Sequence, residues 1–261
     1  MATFFGEVIL PSSRVFFEDD DSDVEDDTVS ERRLLELNLL DDNSLKVDYE
    51  LLLIVEGTVS RGFAEVYLLN EKTTPLAEIY LPKEENNDNL VEISPHKEDN
   101  SILYKLNNKT LLLKTSPSLD LTLANQLTLK VMPWLEKSKT VLIFNSKAVS
   151  DYRCESIDTL PASFEKTLTT SAVSEIPSTY QRLEQPNFIS GFSASVASWC
   201  ECMNKPCTLH INYTDKSILD SITTAPLLKI MNTSNLSHLI VNENIDSSKF
   251  GISCDQSYMY M

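Results

Sequence analysis

The chain has 261 residues, a formal net charge of -17 and 42% hydrophobic side chains, enough to bury a proper core in one domain with tails. No basic stripe exists to neutralise phosphates, which argues against nucleic acid and anionic membrane as partners, and no apolar run of about 18 residues could span a bilayer. With five glycines in all, phosphate-cradling loops are disfavoured too, and no cofactor is expected.

Residues 1–44 read as an N-terminal segment, 45–241 as an α/β domain and 242–261 as a polar tail. The segment opens on Phe4 and Phe5, apolar enough to need covering, and then carries eight acidic residues between Glu18 and Asp27. Those eight leave only -9 for the remaining 251 positions, so the domain is mildly acidic. The run itself repels and has nothing to bury, which predicts disorder. It lacks the basic and apolar regions of a signal peptide. Five cysteines, an odd number, read as reduced thiols. The expected location is the cytoplasm, with the nucleus as a second compartment.

Tyr49 to Val55 is a continuous apolar run, as in a strand buried on both faces. A turn and helix over 57–69 follow, with Val59, Phe63, Val66 and Tyr67 inward. Strands are expected at 77–81, 101–106 and 109–114, the last two forming a hairpin around Asn107-Asn108, since asparagine tolerates left-handed backbone angles. A helix over 120–137 is expected to be interrupted at Pro133, and a short strand to run over 140–144. Asn187 reads as the N-cap of a helix presenting Phe188, Phe192, Ser195, Val196 and Trp199 on one face. Cys207 to Tyr213 then alternates as a strand does, and a helix follows over 226–232. The sum is a layered α/β sandwich: a mainly parallel central sheet flanked by helices, a hairpin insertion, a disordered acidic N-terminal segment and a C-terminal tail.

Three constellations suggest chemistry. Gly57 and Gly62 have Walker-loop spacing, but Phe63-Ala64 stand where lysine and a hydroxyl would hold phosphate and magnesium. Cys200, Cys202, Cys207 and His210 are zinc-ligand types, yet two residues on a helix are about 200° apart, so Cys200 and Cys202 diverge. Gly191-Phe192-Ser193-Ala194-Ser195 resembles a nucleophile elbow without its last glycine and inside a predicted helix. With His210 or His238 as base, a serine hydrolase using Ser193 is the alternative enzymatic reading.

The chain also ends on Met259-Tyr260-Met261: an apolar side chain, a ring with a hydroxyl, and a free carboxylate that a lysine or backbone amides could capture. Several segments in order resemble the proteasome assembly chaperone 1 family: Ala2 to Val8 before the acidic run, Trp134-Leu-Glu-Lys137, Val149-Ser-Asp-Tyr152, Leu160-Pro161 with Ser163-Phe164, Leu183-Glu-Gln-Pro-Asn187, and Tyr213-Thr-Asp215. The resemblance implies a non-enzymatic chaperone that pairs with a related second one, proteasome assembly chaperone 2. Together they would sit on the proteasome α-ring and promote its correct assembly. It further implies that Met259, Tyr260 and Met261 form a hydrophobic-tyrosine-any tail entering a pocket between α subunits.

Overall fold

A computed structural model describes residues 34–71, 73–82, 100–154, 160–215 and 219–241. Phe4, Phe5, the acidic run and Met259, Tyr260 and Met261 lie outside them. The domain is one eight-stranded sheet between two helical layers, with strand order β1-β3-β4-β5-β2-β6-β8-β7. Its parallel centre is β5 (Thr110–Lys114), β2 (Tyr49–Glu56), β6 (Ser138–Lys147) and β8 (Cys207–Thr214). The antiparallel strands β1 (Glu36–Leu39), β3 (Thr74–Tyr80) and β4 (Ser101–Lys105) extend one side, and β7 (Ser163–Thr169) closes the other.

The expected run at Tyr49 is the central strand β2, and its alternate side chains enter two separate cores. Leu52 and Ile54 join Val141, Ile143, Leu209 and Ile211 on one face, under α2 (Ala124–Lys137) and α3 (Phe192–Cys202). Leu53 and Val55 join Leu112, Leu142 and Phe144 on the other. There they meet α1 (Thr58–Phe63), its continuation as a π-helical turn over Ala64–Leu68, and α4 (Ser221–Thr233). A strand buried on both faces has no polar side to alternate with, which is why Leu51 to Val55 is continuously apolar, Glu50 lying exposed at its start. All four inward residues expected of the 57–69 segment, Val59, Phe63, Val66 and Tyr67, are buried. The hairpin also forms, with β4 and β5 paired Leu103 to Leu113 and Lys105 to Leu111.

Three helix expectations are corrected. Pro133 does not break α2, which runs on to Lys137 with the proline exposed to solvent. The last helix begins at Ser221, before Pro226, because Asp220 caps it: its Oδ1 accepts from the backbone amides of Ile222 and Thr223 at 2.9 and 2.8 Å. Asn187 caps no helix. Its Oδ1 accepts from the Arg153 amide at 2.7 Å and its Nδ2 donates to the Arg153 carbonyl at 3.0 Å, while α3 starts five residues later behind Gly191. An asparagine side chain can satisfy a distant loop as well as a local amide, and sequence spacing does not separate the two. Phe188 is therefore on a loop, 64% exposed, and not on a core face.

Candidate functional site

The carboxyl ends of the parallel strands bring together Gly57, Gly191 and Ser193 among the residues singled out in the sequence. The chain leaves β2 toward β5 on one side and leaves β6 toward β8 on the other, so these ends meet at a topological switch point, where open α/β sheets place their crevices. A cleft of about 190 Å³ lies there, lined by Thr58, Val59, Ser146, Lys147, Ala148, Thr214 and Asp215. Ser146 Oγ accepts from the Val59 and Ser60 amides at 3.1 and 3.2 Å, so a hydroxyl occupies the first turn of α1. Gly57 makes this approach possible: its φ is +83° and an added Cβ would lie 2.4 Å from the Ser146 carbonyl oxygen. This loop is packed against its own neighbour strand and is not a phosphate cradle.

Ser193 lies at the same strand ends, on the opposite face of the sheet from α1. It is the second residue of α3, not an interior one, and it is buried. Its amide donates to Glu56 Oε2 at 2.9 Å and its hydroxyl to the same oxygen; Asn145 Nδ2 donates to Glu56 Oε2 at 3.1 Å and to Ser193 Oγ at 3.0 Å. His210 is elsewhere. It shares a sheet face with Phe144, packs edge-on to that ring and to Tyr180, and exchanges a hydrogen bond with Thr167 through Nδ1 at 3.0 Å. Burial drives its pKa down to about 3, so the ring is neutral. His238 is exposed in the 3₁₀ turn Ser237–Leu239 after α4. The sheet separates Ser193 from His210, and the Ser193 hydroxyl bonds Glu56 and not a histidine.

The cysteines diverge as their spacing requires: Cys200 is buried and Cys202 exposed. Among the described residues no group of three or more His, Cys, Asp or Glu side chains could hold a metal. No helix among them is long and apolar enough to cross a membrane.

Four of the segments that carried the family resemblance, those around Tyr152, Phe164, Leu183 to Asn187 and Tyr213, come together in space. Tyr152, Phe164 and Tyr213 form an aromatic triad with ring centroids 5.0 to 5.2 Å apart, and Leu160 and Leu183 pack against the same core. Burial, with Tyr152 and Asp151 nearby, pushes the Tyr213 hydroxyl up to about 12, so it stays protonated. Above the triad, Glu184 reaches Lys166 at 3.4 Å and Tyr152 Oη at 3.5 Å, and Asn187 ties down Arg153. Arg153 in turn lies 5.5 Å from the centroid of the exposed Phe188 ring. The result is a braced loop presenting one large aromatic side chain to solvent. Sequence reading missed this exposure because Phe188 fits the helical spacing of Phe192 and Val196.

A family model, PAC1, described as Proteasome assembly chaperone 4, matches residues 1–250. The chain belongs to the proteasome assembly chaperone 1 family. Proteasome assembly chaperone 1 of Xenopus laevis is 38% identical over 113 residues, covering 42% of this chain and 38% of the relative. The Homo sapiens protein is 32% identical over 118 residues, 42% of this chain and 41% of its own length. These matches therefore span about two fifths of each curated relative; that of Nematostella vectensis reaches 67% of this chain and 70% of its own, at 26% identity. Among solved structures, Pyrococcus furiosus PbaA, an archaeal homolog of proteasome-assembly chaperone, covers 82% of this chain and 84% of its own, with a TM-score of 0.55 at 13% identity. PbaB from the same organism, an archaeal proteasome activator, covers 83% and 92% with a TM-score of 0.54 at 12% identity. At such identity these structures establish a shared fold and nothing finer.

Proposed function

We propose that this chain is a non-catalytic proteasome assembly chaperone, one half of a heterodimer with a related second chaperone of the proteasome assembly chaperone 2 kind. It acts in the cytoplasm, with a share in the nucleus. The heterodimer binds the α-ring of the 20S core particle and promotes its correct assembly. The observation that carries this reading is the family match over residues 1–250. The separation of Ser193 from His210 by the sheet weighs against the hydrolase alternative.

In this reading Met259, Tyr260 and Met261 enter a pocket between α subunits. Met259 supplies apolar contact, Tyr260 its ring and hydroxyl, and Met261 the terminal carboxylate to a pocket lysine. A three-residue ligand binds weakly because ordering it costs entropy, but presentation from a docked body raises its effective concentration. Reversible occupancy follows.

Affinity purification of the tagged chain from growing cells, beside a version ending at Tyr258, tests both levels. The expected result is α subunits and one related chaperone with the full chain and fewer α subunits with the truncation. Equal recovery of α subunits would sink the tail mechanism, and recovery with neither would sink the assignment. Tyr260→Ala or amidation of Met261 is expected to weaken α-ring binding with thermal stability unchanged.

A further inference from the structure

β7 is the outer strand of the sheet beyond β8, and its free edge is met at Thr167 by the loop that follows. The Thr167 amide donates to the Gln181 carbonyl at 2.7 Å, and the Thr167 carbonyl accepts from the Leu183 amide at 2.9 Å. Thr170 turns inward, its amide donating to the Cys207 carbonyl at 3.0 Å, so Thr169, like Thr167, turns its amide and carbonyl away from β8. No backbone group among the described residues meets them there. An accessible edge residue with both backbone groups unpaired is a template for one more strand, and Thr169 is half-buried, within reach of solvent.

Beside Thr169 the α3 face of the sheet is open. Leu168 is 39% exposed and borders a cleft of about 350 Å³ between β7 and α3, whose apolar lining includes Ala197, Cys207 and Leu209. A second cleft, of about 510 Å³, shares Leu168 to Thr170 and adds Val173, Ile176 and Leu183. Exposed Glu201 borders both clefts, its Oε2 accepting from the Ser171 amide at 2.8 Å, and exposed Arg182 borders the second. Neither forms an ion pair among the described residues. The site therefore suits apolar side chains carried on an extended backbone, with a cation and an anion close by.

The chain itself supplies such a segment. Lys249-Phe-Gly-Ile-Ser-Cys-Asp255 alternates larger apolar with small residues at period two, between a cation and an anion. It is also within reach. Val241 donates its amide to the Tyr67 carbonyl at 2.8 Å, at the amino end of the parallel strands, and β7 runs antiparallel to them, so Thr169 lies at that same end. α1 lies over β2 and β6, two to three strands from β7, which is about 10 to 15 Å at the usual spacing. Residues 242–249 extend to about 26 Å. We infer that residues 249–255 add to the outer edge of β7, with Gly251 opposite Thr169 and Phe250 and Ile252 entering the clefts beside Leu168. Alternation puts both of these side chains on the α3 face and leaves Lys249 and Asp255 to meet Glu201 and Arg182. A segment of the same chain holds a high effective concentration there against any second copy. The inference does not rest on the α-ring reading, because it needs only the isolated chain.

The test is hydrogen exchange at the Thr169 amide in the full chain, a version ending at Ser247 and a version ending at Tyr258. The full chain and the Tyr258 version should exchange at least about tenfold more slowly than the Ser247 version, with the amides of β2 unchanged in all three. Phe250→Asp and Ile252→Asp, each in the full chain, should raise exchange toward the rate of the Ser247 version. A peptide of residues 248–256 added to the Ser247 version should restore protection saturably. Equal exchange in the full chain and the Ser247 version would overturn the inference. Protection that survives truncation and rises with protein concentration would overturn it too, by assigning the edge to a second copy. Recovery of α subunits enters none of these readings, so the α-ring reading can fail while this one holds, and the reverse.

Discussion

Glu56, the last residue of β2, caps the first turn of α3 from 137 positions away: its Oε2 accepts from the Ser193 amide at 2.9 Å and from Asn145 Nδ2 at 3.1 Å. A carboxylate at a helix N-terminus meets both unpaired amides and the positive end of the helix dipole. Here it also pins α3 to the centre of the sheet. Glu56→Ala would leave the Ser193 amide and hydroxyl and the Asn145 amide short of an acceptor in a largely buried place. The expected loss is about 2 to 4 kcal/mol in urea unfolding, against roughly 1 kcal/mol for Ser193→Ala.

Gly57 and Gly62 should respond to alanine with opposite signs. At Gly57 the backbone has φ +83° and the new methyl would collide with Ser146, so Gly57→Ala should cost about 2 kcal/mol or more. Gly62 sits inside α1, where an added Cβ finds Leu219 at an ordinary 3.6 Å. Gly62→Ala should stabilise by roughly 0.5 to 1 kcal/mol. Thermal melts of the two variants check both signs.

Lys205, in the turn between α3 and β8, closes the end of another helix. Its ammonium donates to the carbonyls of Leu135 at 2.5 Å and Glu136 at 3.0 Å, and to that of Ser138. These include carbonyls that the end of α2 leaves without intrahelical donors. Lys205→Met keeps the aliphatic stem and removes all three bonds. It should lower stability by roughly 1 to 3 kcal/mol in chemical denaturation, with amide exchange rising first at the end of α2.

His210 sets an acid limit. Its folded pKa of about 3 lies below the ordinary 6.5, so between those values the unfolded chain binds a proton that the folded chain refuses. Stability therefore falls as pH falls through that window. Glu165 acts the other way, since its raised pKa makes the folded chain hold a proton that the unfolded chain releases just above 4.5. Replacing His210 by glutamine removes only the first effect. From pH 7 to pH 5 the native chain should lose about 2 kcal/mol more than His210→Gln, measured by denaturant titration at each pH.

Much of the fold was legible because burial writes directly into composition. The apolar run from Tyr49 could only be a strand covered twice, and Val59, Phe63, Val66 and Tyr67 kept helical spacing through α1 and its π-helical continuation. Two strands had no counterpart in the sequence reading. In β1, Glu36-Leu37-Asn38-Leu39 is a half-exposed edge, and in β7, Ser163 to Thr169 buries Glu165, Lys166 and Thr167 with little apolar signal. Their pairing comes from neighbours, not from their own hydrophobicity.

By itself the sequence determined which segments must be hidden from water, that the sheet centre is parallel, and, through ordered short segments, the family. Tertiary structure alone decided which face each polar side chain joins. Ser193 and His210 are both buried and only 17 positions apart, yet alternation along β8 and the packing of α3 put a sheet between them. Local periodicity fixes where a residue is hidden, whereas its partners are fixed by chain crossings tens of residues away, and hydrogen bonds and charge pairs depend on the partner.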